Sequence, residues 1–326
     1  MTELCQPYQK RHDGDAAAQL AMRCDICIVT FNSEETISAL LTSIVREPLP
    51  THIHLFDNAS SDGTLRVVRH TASALGLDID VVESTDNLGF PAASNKLLRR
   101  CNSPIVALVN PDIEFTDQSL YRLCENVATD DSIGIAACRQ MTRDNRPQPE
   151  AARSSLRLRR LLAADLPGWL RAPMRRRRLE SGGPLYVDQD VQCMSGALMV
   201  FRRTLLSTIG YLDISVFMYL EDSDFAARVR AAGLRIWYVG TVWVWHNSGV
   251  SARGRESSLY ALLPEVWLTY LHRYGRRYER LVARPVLIIV CSIAVGRRLR
   301  RGEAPTGEMR ALKQSITFKP IKRPYW

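Results

Sequence analysis

Residues 25–31, Asp-Ile-Cys-Ile-Val-Thr-Phe, form a short apolar run rich in β-branched side chains, and Asn32 and Ser33 close it. A run of this length that ends in turn-forming residues is typical of a buried β-strand. Beyond Ser33, apolar side chains return at helical spacing, at Ile37, Leu40, Leu41 and Ile44. The stretch therefore predicts a strand followed by a capped amphipathic helix.

The same alternation of strand and helix continues to residue 138. Further strands are predicted at 52–56, 78–82, 105–109 and 133–138, with helices between them at 62–76, 91–100 and 117–128. This order predicts an α/β fold with a mostly parallel central sheet that is covered on both faces. Right-handed crossovers place the carboxyl ends of the parallel strands along one edge, where open α/β sheets bind ligands.

The composition is that of a globular chain, because 46% of the 326 residues are hydrophobic. Eight cysteines without a paired CxxC…CxxC set favour a reducing compartment over a disulfide scaffold. Cys24 and Cys27 lie three apart in one strand and are expected on opposite faces, which argues against a metal or redox pair. The N-terminus lacks the apolar core of a signal peptide, and the longest apolar run, residues 285–296, is shorter than the ~20 residues of a spanning helix. We expect a cytoplasmic protein, soluble or peripheral on a membrane.

The net charge of +9 is distributed unevenly, with −8 in the first 150 residues and +17 in the remainder. Residues 153–178 hold nine arginines and one acid, within a stretch that loses the strand–helix alternation. From residue 258 the sequence predicts two basic amphipathic helices separated near Arg284-Pro285. Such helices suit the anionic cytoplasmic face of a membrane.

Three polar clusters follow predicted strands: Asp57-Asn-Ala-Ser-Ser-Asp-Gly-Thr64, Asn87-Leu-Gly-Phe-Pro-Ala-Ala-Ser-Asn95 and Asn110-Pro-Asp-Ile-Glu114. The Asp57 carboxylate could accept hydrogen bonds from a base or from ribose hydroxyls. For Asp62 and Gly63 there is an alternative interpretation, because an Asx turn and a helix N-cap also favour these residues. The corner at 110–114 is rich in oxygen and suits Mg²⁺ or Mn²⁺ bridging a diphosphate. A plain Pro-Asp turn is the alternative there.

Two further candidates lie in the second half of the chain. Glu221, Asp222 and Asp224 follow an aromatic and apolar segment. In one interpretation these acids only complement the dipole of a helix that starts there. In the other, one of them is a general base whose pKa is raised by the apolar segment beside it. His246 directly follows an apolar strand and is either a structural residue or a metal ligand.

Several classes of protein are disfavoured by missing motifs. The first strand is followed by no G-x-G-x-x-G and the chain has no Walker A sequence, which argues against a dinucleotide-dependent oxidoreductase and a P-loop enzyme. Residues 25–40 contain no glycine, unlike the glycine-rich loop of a sugar-nucleotide pyrophosphorylase. Arg175 to Arg178 could bind nucleic acid, although no recognised module accompanies them. A non-enzymatic nucleic-acid-binding protein is therefore the alternative from another class.

Taken in order, these clusters resemble the family 2 glycosyltransferases, and more narrowly the rhamnosyltransferase-type members. The matching motifs span roughly residues 25–255 and are Val29-Thr-Phe-Asn32, Asp57-Asn-Ala-Ser-Ser-Asp-Gly-Thr64, Asn87-Leu-Gly-Phe90 with Asn95, Asn110-Pro-Asp112, Ser195-Gly-Ala197, Glu221-Asp222-x-Asp224 and His246. The resemblance implies an A-type glycosyltransferase fold, which is a Rossmann-like nucleotide-diphospho-sugar transferase with a mostly parallel sheet. It also implies sugar transfer with inversion.

The resemblance further implies a role for each matching residue. Thr30, Asn32 and Asp57 would hold the base and ribose of the donor, with Asn87 and Asn95 supporting that pocket. Ser195, Gly196 and Glu221 would line the substrate pocket. Asp112 and His246 would ligate a divalent metal, Mg²⁺ or Mn²⁺, and Asp222 would be the general base that deprotonates the acceptor hydroxyl.

One departure from the family pattern affects the expected donor. The metal motif is commonly Asp-x-Asp, and here Asn110 stands at its first position. Members with Asn-Pro-Asp occur in the rhamnosyltransferase-like group, so the expected donor is dTDP-rhamnose, with galactofuranose or a UDP-linked hexose as alternatives. The expected acceptor is a hydroxyl of a glycan or lipid-linked saccharide in surface polysaccharide or cell-wall biosynthesis. An anionic membrane surface is an expected partner, and nucleic acid is not.

These inferences divide the chain into five regions: a polar leader (1–22), a nucleotide-sugar-binding half (23–140), an arginine-rich insertion (141–185), an acceptor and catalytic half (186–257) and a basic helical tail (258–326).

Overall fold

The computed structural model describes residues 22–153, 184–247 and 256–319. Its strands are β1 (Cys24–Thr30), β2 (Thr51–Asp57), β3 (Ile79–Glu83), β4 (Ile105–Val109), β5 (Ile113–Phe115), β6 (Ile133–Met141), β7 (Ala152–Arg153), β8 (Gln189–Asp190), β9 (Cys193–Met194), β10 (Leu198–Arg202) and β11 (Arg235–His246). Its helices are α1 (Ile37–Ile44), α2 (Thr64–Leu75), α3 (Phe90–Leu98), α4 (Ser119–Thr129), α5 (Leu205–Ile209), α6 (Glu221–Ala231), α7 (Glu256–Tyr274), α8 (Arg277–Arg300) and α9 (Thr306–Thr317).

The central sheet has the strand order β3-β2-β1-β4-β10-β6-β11-β5, and β8 pairs with β11. Neighbours among β1 to β4 pair in parallel, as do β6 and β11. β10 is antiparallel to both β4 and β6, so β6 and β11 run in the same direction as β1 to β4. The predicted mostly parallel sheet is therefore present, and the carboxyl ends of these strands share one edge.

Apolar side chains cover both faces of the sheet because the strand residues alternate in direction. Cys24 and Ile26 of β1 pack on the face that α1 covers. Cys27 and Val29 pack on the other face, against Leu97 of α3. Cys24 and Cys27 thus lie on opposite faces, as predicted, and both are buried free thiols.

One short strand that the sequence did not predict is important for the site. β5 begins directly after Asp112 and pairs antiparallel with the end of β11. In this register His246 lies opposite Ile113, the residue next to Asp112. A strand of three residues is too short to show a periodic pattern in the sequence.

The C-terminal region contains three helices where the sequence predicted two, and the predicted break at Arg284-Pro285 is wrong. α8 continues through the proline, and the break lies before Arg276, whose backbone N–H donates to the Glu279 carboxylate at 2.8 Å. Ala283 and Leu287, on either side of the proline, are buried in the cluster that joins the tail helices. Tertiary packing therefore outweighs the local cost of proline within a helix.

Parts of four predicted regions fall outside the described residues, namely 1–21 of the leader, 154–183 of the arginine-rich insertion, 248–255 of the acceptor half and 320–326 of the tail. Within the described part of the insertion, β7 pairs antiparallel with β9. The five-region division as a whole stays a prediction.

Candidate active site

The first part of the site lies where β1 and β2 end. The Thr30 hydroxyl donates to Asp57 Oδ1 at 2.9 Å, across the parallel pair. Asp57 also accepts from the backbone N–H of Ser60 at 3.0 Å and from its hydroxyl at 2.6 Å. The Asp57 carboxylate is buried and is held in one orientation by the strand beside it and the turn after it.

Asn32 joins the same cluster from the loop after β1. Its backbone is in the left-handed region with φ of 49°, which asparagine tolerates better than most residues. Its backbone N–H donates to the Ser60 hydroxyl at 3.0 Å, and its side-chain oxygen accepts from the Ser61 N–H at 2.8 Å. The structure thus brings together Thr30, Asn32 and Asp57.

Asn58 is a residue that sequence reasoning did not assign to the site, and it connects the next loop to this cluster. Its side-chain amide donates to Asn87 Oδ1 at 2.9 Å, and its own Oδ1 accepts from the Leu88 N–H at 2.8 Å. Asn87 Oδ1 also accepts from the Gly89 N–H at 3.0 Å. Its place next to Asp57 at a strand end is the signal that could have identified it.

Asn95 makes different contacts from the other residues of the predicted donor pocket. The side chain is buried in α3, where its amide donates to the Leu212 carbonyl at 2.7 Å and its oxygen accepts from the Leu212 N–H at 3.0 Å. Both ends of the amide are thus engaged by one backbone unit. In this arrangement Asn95 fixes the segment before α6 to α3.

Asp112 and His246 face each other at the same edge of the sheet. The antiparallel pairing of β5 with β11 brings His246 Nε2 to 3.6 Å from Asp112 Oδ1. This distance is too long for a hydrogen bond. The Asp112 oxygen is buried and has no hydrogen-bond partner among the residues that the structure describes.

Two glutamines fix the orientation and tautomer of His246. Its Nδ1 lies 3.0 Å from Gln140 Oε1 and 2.8 Å from Gln148 Oε1. The Gln148 amide nitrogen donates to the His246 carbonyl at 2.8 Å, so the Gln148 oxygen is the atom that faces the ring. Nδ1 therefore carries the proton, and the lone pair of Nε2 faces Asp112. These contacts join residues about one hundred positions apart, and no local sequence pattern indicates them.

The charges of this pair are consistent with a cation between them. Burial raises the pKa of Asp112 to about 7 and lowers that of His246 to about 4. An ion between the buried Asp112 oxygen and the Nε2 lone pair would stabilise the ionised carboxylate and the neutral imidazole. A carboxylate oxygen suits Mg²⁺ or Mn²⁺, and a neutral imidazole nitrogen is a common metal ligand. The residues present thus fit a divalent metal.

The segment 195–197 connects this corner to the carboxylates of α6. The Asn110 N–H donates to the Ala197 carbonyl at 2.8 Å. One residue earlier, the Gly196 N–H donates to Asp222 Oδ2 at 3.2 Å. The Ser195 hydroxyl accepts from the Ala197 N–H at 3.3 Å, which holds the segment in a tight turn. Two hydrogen bonds and a short backbone segment therefore separate the Asn110 corner from Asp222.

Glu221 and Asp222 are adjacent acids in the first turn of α6, and both are largely buried. Burial and the neighbouring Asp222 charge raise the pKa of Glu221 to about 7. Asp222 Oδ1 accepts from the Ser223 hydroxyl at 3.0 Å. The two carboxyl groups thus lie close together beside Gly196, in surroundings that favour a proton on Glu221.

Asp224, the third acid of this motif, is part of a buried ion network behind the site. Its carboxylate bonds Arg228 at 2.8 Å and the Tyr274 hydroxyl at 2.6 Å, and it lies 3.5 Å from Arg273. Arg273 also pairs with buried Asp213. The network fixes α6 to α7, so Asp224 is a structural residue here.

A second group of metal-ligand types lies toward the opposite edge of the sheet. Ligand atoms of Asp25, His54 and Cys101 lie within 4.8 Å of one another. Asp25 already accepts from the Ser103 hydroxyl at 2.6 Å, and His54 Nδ1 lies 3.0 Å from Asp80. Although burial opposes the shift, hydrogen bonds from His54 and Ser103 hold the pKa of Asp25 below its usual range. We interpret this group as a hydrogen-bonded structural network that could also accommodate an ion.

Comparison with known proteins identifies the family. The sequence model described as "Glycosyl transferase family 2" matches residues 25–210. The low-salt glycan biosynthesis hexosyltransferase Agl10 of Haloferax volcanii is 26% identical over 269 residues, which is 81% of this chain and 78% of the relative. The N-acetylglucosaminyl-diphospho-decaprenol L-rhamnosyltransferase of Mycobacterium tuberculosis is 25% identical over 248 residues, which is 71% of this chain and 78% of the relative.

Solved structures confirm the fold. A mannosyltransferase from Pyrobaculum calidifontis, in complex with GDP-Man and Mn²⁺, superposes with a TM-score of 0.55 at 17% identity and covers 91% of this chain and 88% of its own. GalNAc-T7 with UDP, GalNAc and Mn²⁺ gives a TM-score of 0.52 at 15% identity, over 69% of this chain and 43% of its own. The predicted A-type glycosyltransferase fold is confirmed.

Proposed function

This chain belongs to glycosyl transferase family 2, and we propose that it moves a sugar from a nucleotide-diphospho-sugar onto an acceptor hydroxyl with inversion. The enzyme class, a glycosyltransferase, is confirmed over the non-enzymatic alternative. One observation carries the proposed chemistry. Hydrogen bonds through the 195–197 segment connect the corner that holds Asp112 to Asp222, so a candidate metal site and a candidate base lie at one edge.

In the proposed complex the donor nucleotide binds at the ends of β1 and β2. Thr30 and Ser60 hold the Asp57 carboxylate, whose oxygens can still accept hydrogen bonds from a base or ribose hydroxyl. Asn32 extends the same surface, and Asn58 with Asn87 stiffens the next loop. We assign Asn95 the supporting task of fixing the segment before α6.

Asp112 and His246 are the proposed ligands of Mg²⁺ or Mn²⁺. A bound ion would supply positive charge beside the departing diphosphate. The Asn110 side chain would bring no negative charge to this site, so Asp112 provides the anionic ligand. Gln140 and Gln148 keep the His246 lone pair directed at Asp112.

Asp222 is the proposed general base. Its Oδ2 is oriented by the Gly196 N–H and can take the proton of the acceptor hydroxyl. As that proton leaves, the acceptor oxygen bonds to the anomeric carbon while the bond to the diphosphate oxygen breaks. Attack from the opposite face in one displacement inverts the anomeric centre. Ser195, Gly196 and Glu221 line the proposed sugar pocket.

For the donor we propose dTDP-rhamnose, with galactofuranose and UDP-hexose donors as alternatives. The Asn110-Pro-Asp112 motif and the resemblance to a mycobacterial rhamnosyltransferase support rhamnose. The archaeal relative, a hexosyltransferase, supports the alternative. Donor hydrolysis measured over a panel of nucleotide-sugars separates these substrates.

For the acceptor we propose a lipid-linked saccharide in surface polysaccharide or cell-wall biosynthesis, at the cytoplasmic face of the membrane. The name of the mycobacterial relative specifies a decaprenol-linked acceptor, and the tail from residue 258 is rich in arginine. None of the helices in the described ranges combines the length and the hydropathy that a bilayer-spanning segment needs. We retain 23–140 and 186–257 as the proposed donor and acceptor halves.

The substitution Asp222→Asn tests the function directly. It keeps the shape of the side chain but removes its basicity, so we expect transfer to fall by ~100-fold or more. Donor binding, measured as thermal stabilisation by nucleotide-sugar with Mn²⁺, should remain. Asp131→Asn removes a fully exposed carboxylate and serves as the matched control. Full activity of Asp222→Asn would exclude this residue as the base.

A further inference from the structure

α8 carries two apolar faces, and one of them has no cover among the described residues. Ala283, Leu287 and Cys291 form the buried face. The side chains that point away from it recur at helical spacing, and we define them as the outer face of α8: Tyr278, Leu281, Val282, Pro285, Ile289 and Ile293. Leu281 is 77% exposed and Ile289 58% exposed. At ~1.5 Å per residue this face is about 23 Å long.

The charged side chains within this part of α8 are directed elsewhere. Glu279 is buried and accepts the Arg276 N–H. Arg280 donates to the Gly275 carbonyl at 2.9 Å, and Arg284 donates to the Ser315 carbonyl at 3.2 Å. The outer face is therefore an apolar strip without a charge of its own.

Arginines surround both ends of the strip. Arg276 and Arg277 lie at one end, and Arg297, Arg300 and Arg301 lie at the other, whereas Arg298 pairs with Glu303 and Glu308. An exposed apolar strip on a protein surface marks an interaction site. Two copies packed on this face would bring like charges together, which opposes self-association. An apolar strip with basic ends instead matches a surface that is apolar within and anionic at its boundary.

We propose that the outer face of α8 docks on an anionic bilayer, with the helix lying in the plane of the interface. Leu281, Ile289 and Ile293 would enter the boundary between headgroups and acyl chains, and the arginines at both ends would contact lipid phosphates. This inference deepens the proposed function by naming the surface that the enzyme shares with a lipid-linked acceptor. The docking itself does not depend on sugar transfer.

The path from this face to the site is short. Leu287 of α8 packs in one cluster with Leu271 of α7 and Leu220, which precedes α6. Arg273 and Tyr274 of α7 bond Asp224 of α6. Docking of α8 would therefore fix the distance and orientation of α6, the helix that carries Asp222, relative to the membrane.

Co-sedimentation of the full chain with vesicles tests the proposal, using vesicles of phosphatidylcholine and phosphatidylglycerol against pure phosphatidylcholine. We expect binding to the anionic vesicles and weaker binding to the neutral ones. The double variant Leu281→Gln/Ile289→Gln should lower the partition coefficient at least ~10-fold, because it removes two side chains that bury apolar area. Val45→Gln/Val187→Gln alters two exposed apolar side chains outside α8 and should bind as the parent does.

Three results would overturn the proposal. The first is that the parent does not bind anionic vesicles at low salt. The second is that Leu281→Gln/Ile289→Gln binds as well as the parent. The third is that the parent forms a dimer in sedimentation velocity and does not bind vesicles, while the double variant is monomeric. That result would assign the outer face of α8 to a second copy of the chain.

Two measurements keep this inference separate from the proposed function. Thermal unfolding of the double variant should match that of the control, since the altered side chains are exposed in the folded chain. Asp222→Asn should bind vesicles as the parent does. Vesicle binding without transfer under any condition would refute the proposed function and leave the docking surface intact.

Discussion

The two nitrogens of His246 show how much a residue's chemistry depends on its neighbours. Gln140 and Gln148 place acceptor oxygens on Nδ1, which leaves the lone pair on Nε2 and directs it at Asp112. Without these two glutamines, the neutral imidazole could carry its proton on either nitrogen. A histidine at the end of an apolar strand thereby becomes a candidate ligand.

Gly196 is the residue at which a single methyl group should disturb the site. A Cβ there would lie 3.2 Å from Asp222 Cβ and 3.7 Å from Glu221 Oε1. In Gly196→Ala the Asp222 side chain must shift by a few tenths of an ångström, and we expect transfer to fall roughly tenfold. Steady-state rates with saturating donor measure this effect.

Gly296→Ala is the matched control for that variant. A Cβ at Gly296 meets nothing within 4 Å, and the residue lies in a helix, so transfer should be unchanged and stability slightly higher. Equal activity of the two alanine variants would contradict the close fit of residues 196 and 222.

Glu221 should make the stability of the protein depend on pH. Its pKa is raised from 4.5 to about 7, mainly by burial. Between about pH 4.5 and pH 7 the folded chain keeps a proton that the unfolded chain releases, so the free energy of unfolding falls as pH rises. In Glu221→Gln this fall should be smaller, by on the order of 1–3 kcal/mol. Urea unfolding at both ends of the window measures it.

Glu125→Gln, at an exposed position of α4, is the control for this titration. It should leave the pH dependence of unfolding as in the parent. The interpretation of Glu221 fails if both variants give the same slope against pH.

Among the secondary-structure elements, α6 both contributes residues to the site and anchors the site to α7. Its first turn presents Glu221 and Asp222 to Gly196, and Asp224 points back into the ion network with α7. The three acids of the motif look alike in the sequence. Their different roles follow from the 3.6-residue period of the helix, which directs neighbouring side chains to different partners.

Arg273 should be the residue on which this network depends most. Its side chain is 8% exposed and pairs with the buried carboxylates of Asp213 and Asp224. Arg273→Met would leave both charges without this partner, so we expect a loss of about 3–5 kcal/mol in the free energy of unfolding. Urea denaturation measures the loss, and transfer should fall with it because α6 is loosened.

The matched control is Arg66→Met, which removes an exposed arginine paired with Glu34. We expect a change of about 1 kcal/mol or less, since solvent screens such pairs. If Arg273→Met costs no more than this, the buried network does not fix α6 to α7.

At the scale of the whole molecule, the candidate metal site depends on the sheet. Asp112 follows β4 and His246 ends β11, and these strands are separated in the sheet by β10 and β6. β5 turns back from Asp112 to pair with β11 and closes this gap. The site therefore forms only when the sheet is complete.

Chelation should reveal this site in two ways. EDTA should suppress transfer, and Mg²⁺ or Mn²⁺ should restore it. Mn²⁺ with nucleotide-sugar should also stabilise the parent against heat, by about 2.7 kcal/mol at 100 times the dissociation constant. Asp112→Asn and His246→Asn should lose most of this stabilisation. Turnover that is unchanged by EDTA would exclude a metal role for both residues.

The amino-acid sequence alone was enough to predict the order of elements in the α/β core, because alternating apolar runs encode strand and helix locally. It also determined the edge at which the polar clusters lie, since parallel strands share their carboxyl ends. It misplaced the break in the tail at Pro285, because proline weakens a helix locally whereas buried neighbours on both sides sustain it.

The contacts between distant residues could be seen only in the folded chain. The pairing of β5 with β11, the glutamines on His246, the network around Asp224 and the exposed strip of α8 all join or separate residues far apart in the chain. A local pattern reports the period of one element. It does not show which other element packs against the apolar face of that element, because the packing of the whole chain determines these contacts.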